Sequence, residues 1–408
     1  HLENYFAGND TWIELEDAII EVENLDFQQK IVKLKSFIVS EPDVRLCNWE
    51  SVEEDDEEDD YTTFIPINQS GWTFSTEILQ IEDGAFSIEN DRRNTELFTK
   101  LINFDNLGVD DIQIDLSQVV FGWASLGGII EHLSAKEKSG FVLSNLAANV
   151  TFTPKMLEFD GLCLITPNRY LGDYYAMHYR SLGGFLDYNN HIRMDAHFDK
   201  GIVTLEDISY FAKGLSDVKL LYAQRNQPIE ISGNISNKVS RLRAEDLKLR
   251  LAKTFFAGNF KLSGLPDVAS TNIDFKIEQL RPDITEVRRL LPNLQIPKNF
   301  DNLGNLGFSG RFSGFPSDFV ADGTLRTNIG EVGLDMKMIT NERIAAYSGD
   351  LELIDFQLGN WLGNTKLFGL VSFSSRIEGE GLRLQDLHAT IDGDVQQLEF
   401  NGYDYRDL

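Results

Sequence analysis

The side chains that could carry chemistry in this chain are 6 histidines, 2 cysteines and 65 carboxylates, so their spacing decides what they can do. The histidines are His1, His132, His178, His191, His197 and His388. Only His191 and His197 lie near each other. On a strand they would share a face but stand roughly 20 Å apart at about 3.3 Å per residue, too far to share a metal ion. They read as ordinary surface or strand histidines. Cys47 and Cys163 stand alone and make neither a zinc site nor a disulfide framework. The carboxylates concentrate in the block Ser51–Asp60, within a loop expected over 51–63. A calcium loop needs spaced ligands and a central glycine, and this block has neither. It reads as a self-repelling, solvated loop.

The sequence holds no Gly-x-Ser-x-Gly elbow, no His-Glu-x-x-His, no phosphate-binding loop and no Gly-x-Gly-x-x-Gly. No set of residues can be assigned as nucleophile, base and oxyanion donor. The expectation is a protein without catalytic residues, without a metal and without a cofactor. Asn149-Val150-Thr151 and Asn234-Ile235-Ser236 fit the glycosylation pattern, which is common enough to arise by chance.

Composition narrows the class of partner. The formal net charge is −28, and nucleic acid requires a basic footprint, so no nucleic-acid partner is expected. The same charge opposes spreading on an anionic membrane surface. The chain is 42% hydrophobic with 28 Phe, enough for a large apolar core or surface. No run of about 18 apolar residues occurs, so no membrane span is expected within it. It starts at His1 and stops at Leu408 without a start or closing signal, and reads as a window from a longer protein.

The elements that would position an apolar surface are strands. Residues 11–22 alternate through Ile13, Leu15 and Ile19, then slip to Ile20 and Val22. A less regular run follows at 31–39, one at 78–88 is read around a turn at Asp83-Gly84, and 112–116 alternates through Ile112, Ile114 and Leu116. From residue 260 the alternation is regular. Phe260 and Leu262 share one parity, as do Ile273, Phe275 and Ile277, then Phe308 and Phe312, then Leu325 and Ile329. Leu334, Met336 and Met338 follow, then Leu351 and Leu353, then Phe373 and Ile377. These sixteen residues are the expected lining of one apolar face. Asp322-Gly323, Ser348-Gly349, Glu378-Gly379 and Asp392-Gly393 are read as hairpin turns. Short helices are expected over Pro282–Leu291 with Asp283 as cap, over Glu206–Lys213, and over Leu126–Leu133. Leu242–Leu247 and Leu382–Leu387 form a weak internal repeat.

An alternating sheet has one face to cover. A second sheet would make a closed sandwich. A curled, open sheet would make a trough covered by a mobile ligand. Such a trough suits acyl chains: at about 0.8 kcal/mol per CH₂, a two-tailed lipid faces a barrier on the order of 20 kcal/mol in water.

Several blocks carry a family resemblance. They are Val203–Phe211, Phe256–Asp267 and Leu306–Phe319, with Ser139–Phe141 and Leu164–Asn168 in the same pattern. Over roughly residues 110–405 the chain resembles the TamB family of the AsmA-like superfamily, in its Bacteroidetes form. The resemblance implies an all-β fold: an elongated, mostly antiparallel meander curled into a taco-like trough with a hydrophobic interior. It implies a periplasmic protein held to the inner membrane by an anchor outside this window. It also implies transfer of phospholipids between the inner and outer membranes. An alternative within the family is assembly of outer-membrane barrels with a TamA/BamA-class partner, and a structural β-sandwich is a third reading. The expected organisation is a β segment over 1–110, a β segment with short helices over 111–230, and a regular meander over 231–408.

Overall fold

The computed structural model describes residues 10–47, 66–89, 102–167, 169–211, 225–290, 296–340, 344–381 and 387–408. The acidic block, residues 382–386 of the second copy of the weak repeat and the far end of the Glu206–Lys213 expectation lie outside them. Strands take 67% of the residues and short helices 11%, so the expected all-β class holds. Pairing is mixed and mostly antiparallel, and among the described residues no ladder closes into a barrel. The chain forms two compact units. One holds 1–213 with 231–240, the other 214–230 with 241–408.

The first unit begins with strands β1 (Asp10–Glu14), β2 (Asp17–Asp26), β3 (Ile31–Ser40), β4 (Asp43–Cys47) and β5 (Thr73–Glu89). β2 pairs antiparallel with β3 and β1 with β4, while β3 and β4 both lie parallel to β5. The sheet is therefore not a pure meander. A parallel step needs a crossover of a dozen or more residues rather than a tight turn. The slip seen between Ile19 and Ile20 is not a strand break. The break falls at Leu15-Glu16, and both Ile19 and Ile20 lie in β2.

The unit continues with β6 (Gly108–Phe121), β7 (Leu126–Glu137), β8 (Val142–Leu143), β9 (Asn145–Thr153), β10 (Met156–Thr166), β11 (Arg169–His178), β12 (Arg193–Val203) and β13 (Ile229–Asn237). Helix α1 (Tyr188–His191) follows a 3-10 turn at Leu182–Asp187, and α2 (Leu205–Ser209) follows β12. The helix expected over Leu126–Leu133 is strand β7. Its pairing with β6 shifts register three times, and the shift at Glu131 puts Ile130 and Leu133, three residues apart, on one face, which imitates a helical spacing. His191 ends α1 rather than lying on a strand with His197. Ile130, Leu146, Ala148 and Leu162 form one buried cluster of this unit, and Met177, Tyr179 and Ile192 another.

The second unit holds β14 (Arg243–Leu251), β15 (Thr254–Ser263), β16 (Asn272–Arg281), β17 (Gly307–Phe315), β18 (Asp318–Thr327), β19 (Gly330–Ile339), β20 (Ala346–Gln357), β21 (Phe368–Glu380), β22 (His388–Phe400) and β23 (Tyr403–Arg406). Each pairs antiparallel with the next, in chain order. Helix α3 (Ile284–Leu290) lies where the sequence places it. The Asp283 carboxylate caps it by accepting from the Thr285 and Glu286 amides at 2.9 and 3.1 Å. Helix α4 (Leu358–Leu362) joins β20 to β21.

The expected turns move. Asp322-Gly323, Ser348-Gly349, Glu378-Gly379 and Asp392-Gly393 all lie inside strands, as does Asp83-Gly84 within β5. The strands reverse instead at Pro316-Ser317 and at Asn328-Ile329, among other places. In these strands glycine serves bending and close backbone approach, not chain reversal.

Candidate functional site: an apolar face on the second unit

The register of the ladders converts sequence parity into cross-strand rows. Phe260, Phe275, Phe312, Ala321, Met336, Gly349, Ile377 and Ile391 are successive partners from β15 to β22. One step outward lie Leu262, Ile273, Gly314, Phe319, Met338, Tyr347, Gly379 and Ala389. On the other side run Gly258, Ile277, Gly310, Gly323, Leu334, Leu351, Ser375 and Gly393. A fourth row holds Phe256, Leu280, Phe308, Leu325, Val332, Leu353, Phe373 and Val395. Side chains two apart on a strand share a face, so these four rows form one surface. It contains no charged residue, and Ser375 is its single hydroxyl outside Tyr347.

The face is about 20 Å wide along the strands and, with β14 added, roughly 38 Å long across nine of them. Fifteen of the sixteen residues expected to line it lie in these rows. Ile329 does not, because it sits in the β18–β19 turn and is buried at 7% exposure. Ile277, also at 7%, is the other buried member, while the remaining fourteen are half-buried. Half-burial along the surface is the mark of a face without a second layer packed fully on it. Ala244 and Leu247 at the β14 end are fully buried.

Phenylalanines dominate one stretch. Ring centroids stand 6.0 Å apart for Phe256–Phe275, 5.6 Å for Phe260–Phe275, 6.0 Å for Phe275–Phe312 and 4.5 Å for Phe312–Phe319. These tilted contacts tie four adjacent strands together through side chains. Beyond them the lining changes to Met336 and Met338 and then to mostly aliphatic residues, with Tyr347 and Phe373 among them.

One long edge of the face is plugged. The 3-10 turn Lys298–Leu303 inserts Leu303 against Ile329, Phe356 and Val371, and α4 adds Trp361 beside Phe300 and Phe356. Arg288 of α3 fastens this turn. Its guanidinium donates to the Ile296 carbonyl at 3.1 Å and the Pro297 carbonyl at 2.6 Å, and pairs with Asp301. The Trp361 indole N–H is buried without a hydrogen-bond partner. Burial also pushes the Tyr347 phenol above its ordinary pKa.

The reverse face is charged. Lys276, Arg311, Asp322, Asp335, Asp350, Arg376 and Asp392 form one exposed cross-strand row there. Among the described residues, no three His, Cys, Asp or Glu side chains gather as a metal site. His197 instead contacts Asn234 at 2.8 Å and Asp173 at 3.4 Å, on the first unit.

Alternation alone missed Phe256, Leu280 and Phe319 as lining. Phe256 shares the parity of Phe260 and Leu262, and Phe319 that of Leu325. Leu280 is hidden by the extra residue that β16 carries at the register shifts Ala257/Gly258 and Ile277/Leu280. No helix among the described residues is long and apolar enough to cross a membrane. Searches of protein-family models, curated proteins and solved structures return no match to this chain.

Proposed function

We propose that the apolar face of the second unit carries the acyl chains of phospholipids, as one section of a periplasmic conduit between the inner and outer membranes. The observation that carries this reading is the apolar surface spanning β15 to β22, mostly half-buried rather than packed under a second layer and backed by a charged face. A lipid tail occupies half of a hydrocarbon core of about 30 Å, or roughly 15 Å, which fits within the width of the face. Apolar contact without discrete polar anchors lets a tail slide, because no single position holds it. The resemblance to the TamB family supplies the location, the inner-membrane anchor and the TamA/BamA-class barrel as partner.

The test is native mass spectrometry of the purified chain, with photo-crosslinking amino acids at Phe275 and Phe308 in cells. Co-purifying phospholipid and crosslinks to it are expected. If neither position captures lipid and none co-purifies, the reading fails. Phe275→Glu and Met336→Glu should block transport while the chain stays folded, since both positions are half-exposed.

A further inference from the structure

We infer that β2 is an acceptor edge for an extended basic–apolar peptide strand. This rests on the first unit and is independent of the lipid reading. The register links Ile20 to Phe37, Phe37 to Leu79, Leu79 to Leu116, Leu116 to Ile130 and Ile130 to Ala148. Burial falls along this row. Ile130 is 5% exposed, Phe37, Leu79 and Leu116 are half-buried, and Ile20 is 54% exposed. The row ends at Ile20 as if one strand short. A strand paired to β2 would place a side chain beside Ile20 and continue it.

Backbone and charge define that strand. Among the described residues β2 pairs with β3 alone, so its other side presents unpaired amides and carbonyls. Ile19, Val22 and Leu25 are exposed as well, so apolar side chains stand out on both faces. Natural edges are often blunted by lysine or proline, and β2 has neither. It carries Asp17, Glu21, Glu23 and Asp26 with no basic residue. Lys35 of β3 answers Glu21 at 2.9 Å. A second copy of β2 would set carboxylates against carboxylates, which is unfavourable across a ladder. The complement is a strand alternating β-branched apolar residues with lysine or arginine, docked by strand addition.

The experiment titrates the 408-residue chain with a labelled ten-residue peptide alternating Val and Lys, and maps amide hydrogen exchange. Saturable binding is expected, with new protection confined to residues 17–26. The same peptide N-methylated at alternate residues, which keeps its charge but cannot complete the ladder, should bind at least tenfold more weakly. A Val/Glu peptide should not bind. Ile20→Glu and, separately, Glu23→Lys change exposed side chains and should each weaken the Val/Lys peptide at least tenfold with far-ultraviolet circular dichroism unchanged. Equal binding of the N-methylated peptide would reduce the effect to charge adsorption and overturn the inference. Protection elsewhere would overturn it too, as would protection of 17–26 that rises with protein concentration without peptide.

Discussion

Gly310 and Gly323 face each other across β17 and β18, and both have a backbone that L side chains rarely adopt, with φ of 159° and 152°. A Cβ on Gly323 would stand 2.3 Å from the Ser309 carbonyl oxygen, 2.7 Å from the Gly310 Cα and 2.9 Å from the Phe308 ring. Two of those atoms are backbone and cannot swing aside. Gly323→Ala should therefore destabilise the second unit by about 2–3 kcal/mol. Gly333→Ala is the control. It lies on the charged face, where the nearest atoms belong to the flexible Glu352 side chain at 3.3 Å. Its cost should stay under about 1 kcal/mol. Urea denaturation of both variants checks this, and equal costs would remove any special role for the glycine pair.

The plugged edge and the open face should respond differently to truncation. Leu303 is 4% exposed and packs against Ile329, Phe356 and Val371. Leu303→Ala should cost about 2–4 kcal/mol, because it leaves a cavity in a closed cluster. Phe275→Ala removes a larger side chain from a half-exposed surface and should cost less, about 1–2 kcal/mol. The order of the two midpoints in urea is the measurement. A larger loss for Phe275→Ala would mean that the face is a packed core.

Much of this arrangement was legible in the residues. The parity of Leu334, Met336 and Met338 gave their shared face directly, because a paired strand without a bulge preserves alternation. The glycines were misread for a physical reason. Asp322-Gly323 has turn composition, but composition does not distinguish a glycine that reverses the chain from one that lets two backbones approach. Leu126–Leu133 was misread as helix because β-bulges break period two, and a broken period two resembles period 3.6. The parallel docking of β3 and β4 on β5 is a non-local pairing, and no local pattern encodes it. Ile329 has the parity of Leu325 but follows the strand's end, where parity no longer assigns a face.

Arg288 should act as a local fastener. Its carbonyl contacts to Ile296 and Pro297 and its pairing with Asp301 hold the 3-10 turn that carries Leu303. Arg288→Met keeps much of the apolar stem but removes all three polar links. A loss of about 1–2 kcal/mol is expected, in the range for hydrogen bonds from a charged group that is partly exposed. Amides at 298–303 should exchange faster while those of β17 and β18 change little. Uniform acceleration across the unit would show that the contact is not local.

The first unit should weaken in alkali through its buried tyrosines. The hydroxyls of Tyr175 and Tyr188 are bonded to each other. Burial pushes the Tyr188 phenol up to about 12, and burial with the neighbouring Tyr188 raises Tyr175 well above its ordinary value. In the unfolded chain both would ionise near pH 10. The unfolded state then loses protons that the folded state keeps, so the protonated pair's full stabilisation holds below about pH 10 and is lost as pH rises towards about 12. The unfolding free energy should fall by on the order of 1–3 kcal/mol over that window. Tyr188→Phe should make the decline shallower, and Tyr175→Phe with Tyr188→Phe should remove this pair's share of it. Urea midpoints followed by near-ultraviolet circular dichroism at successive pH values measure the slope, and tyrosinate absorbance reports the ionisation. A double variant with the same slope as the native chain would show that other groups set the alkaline limit.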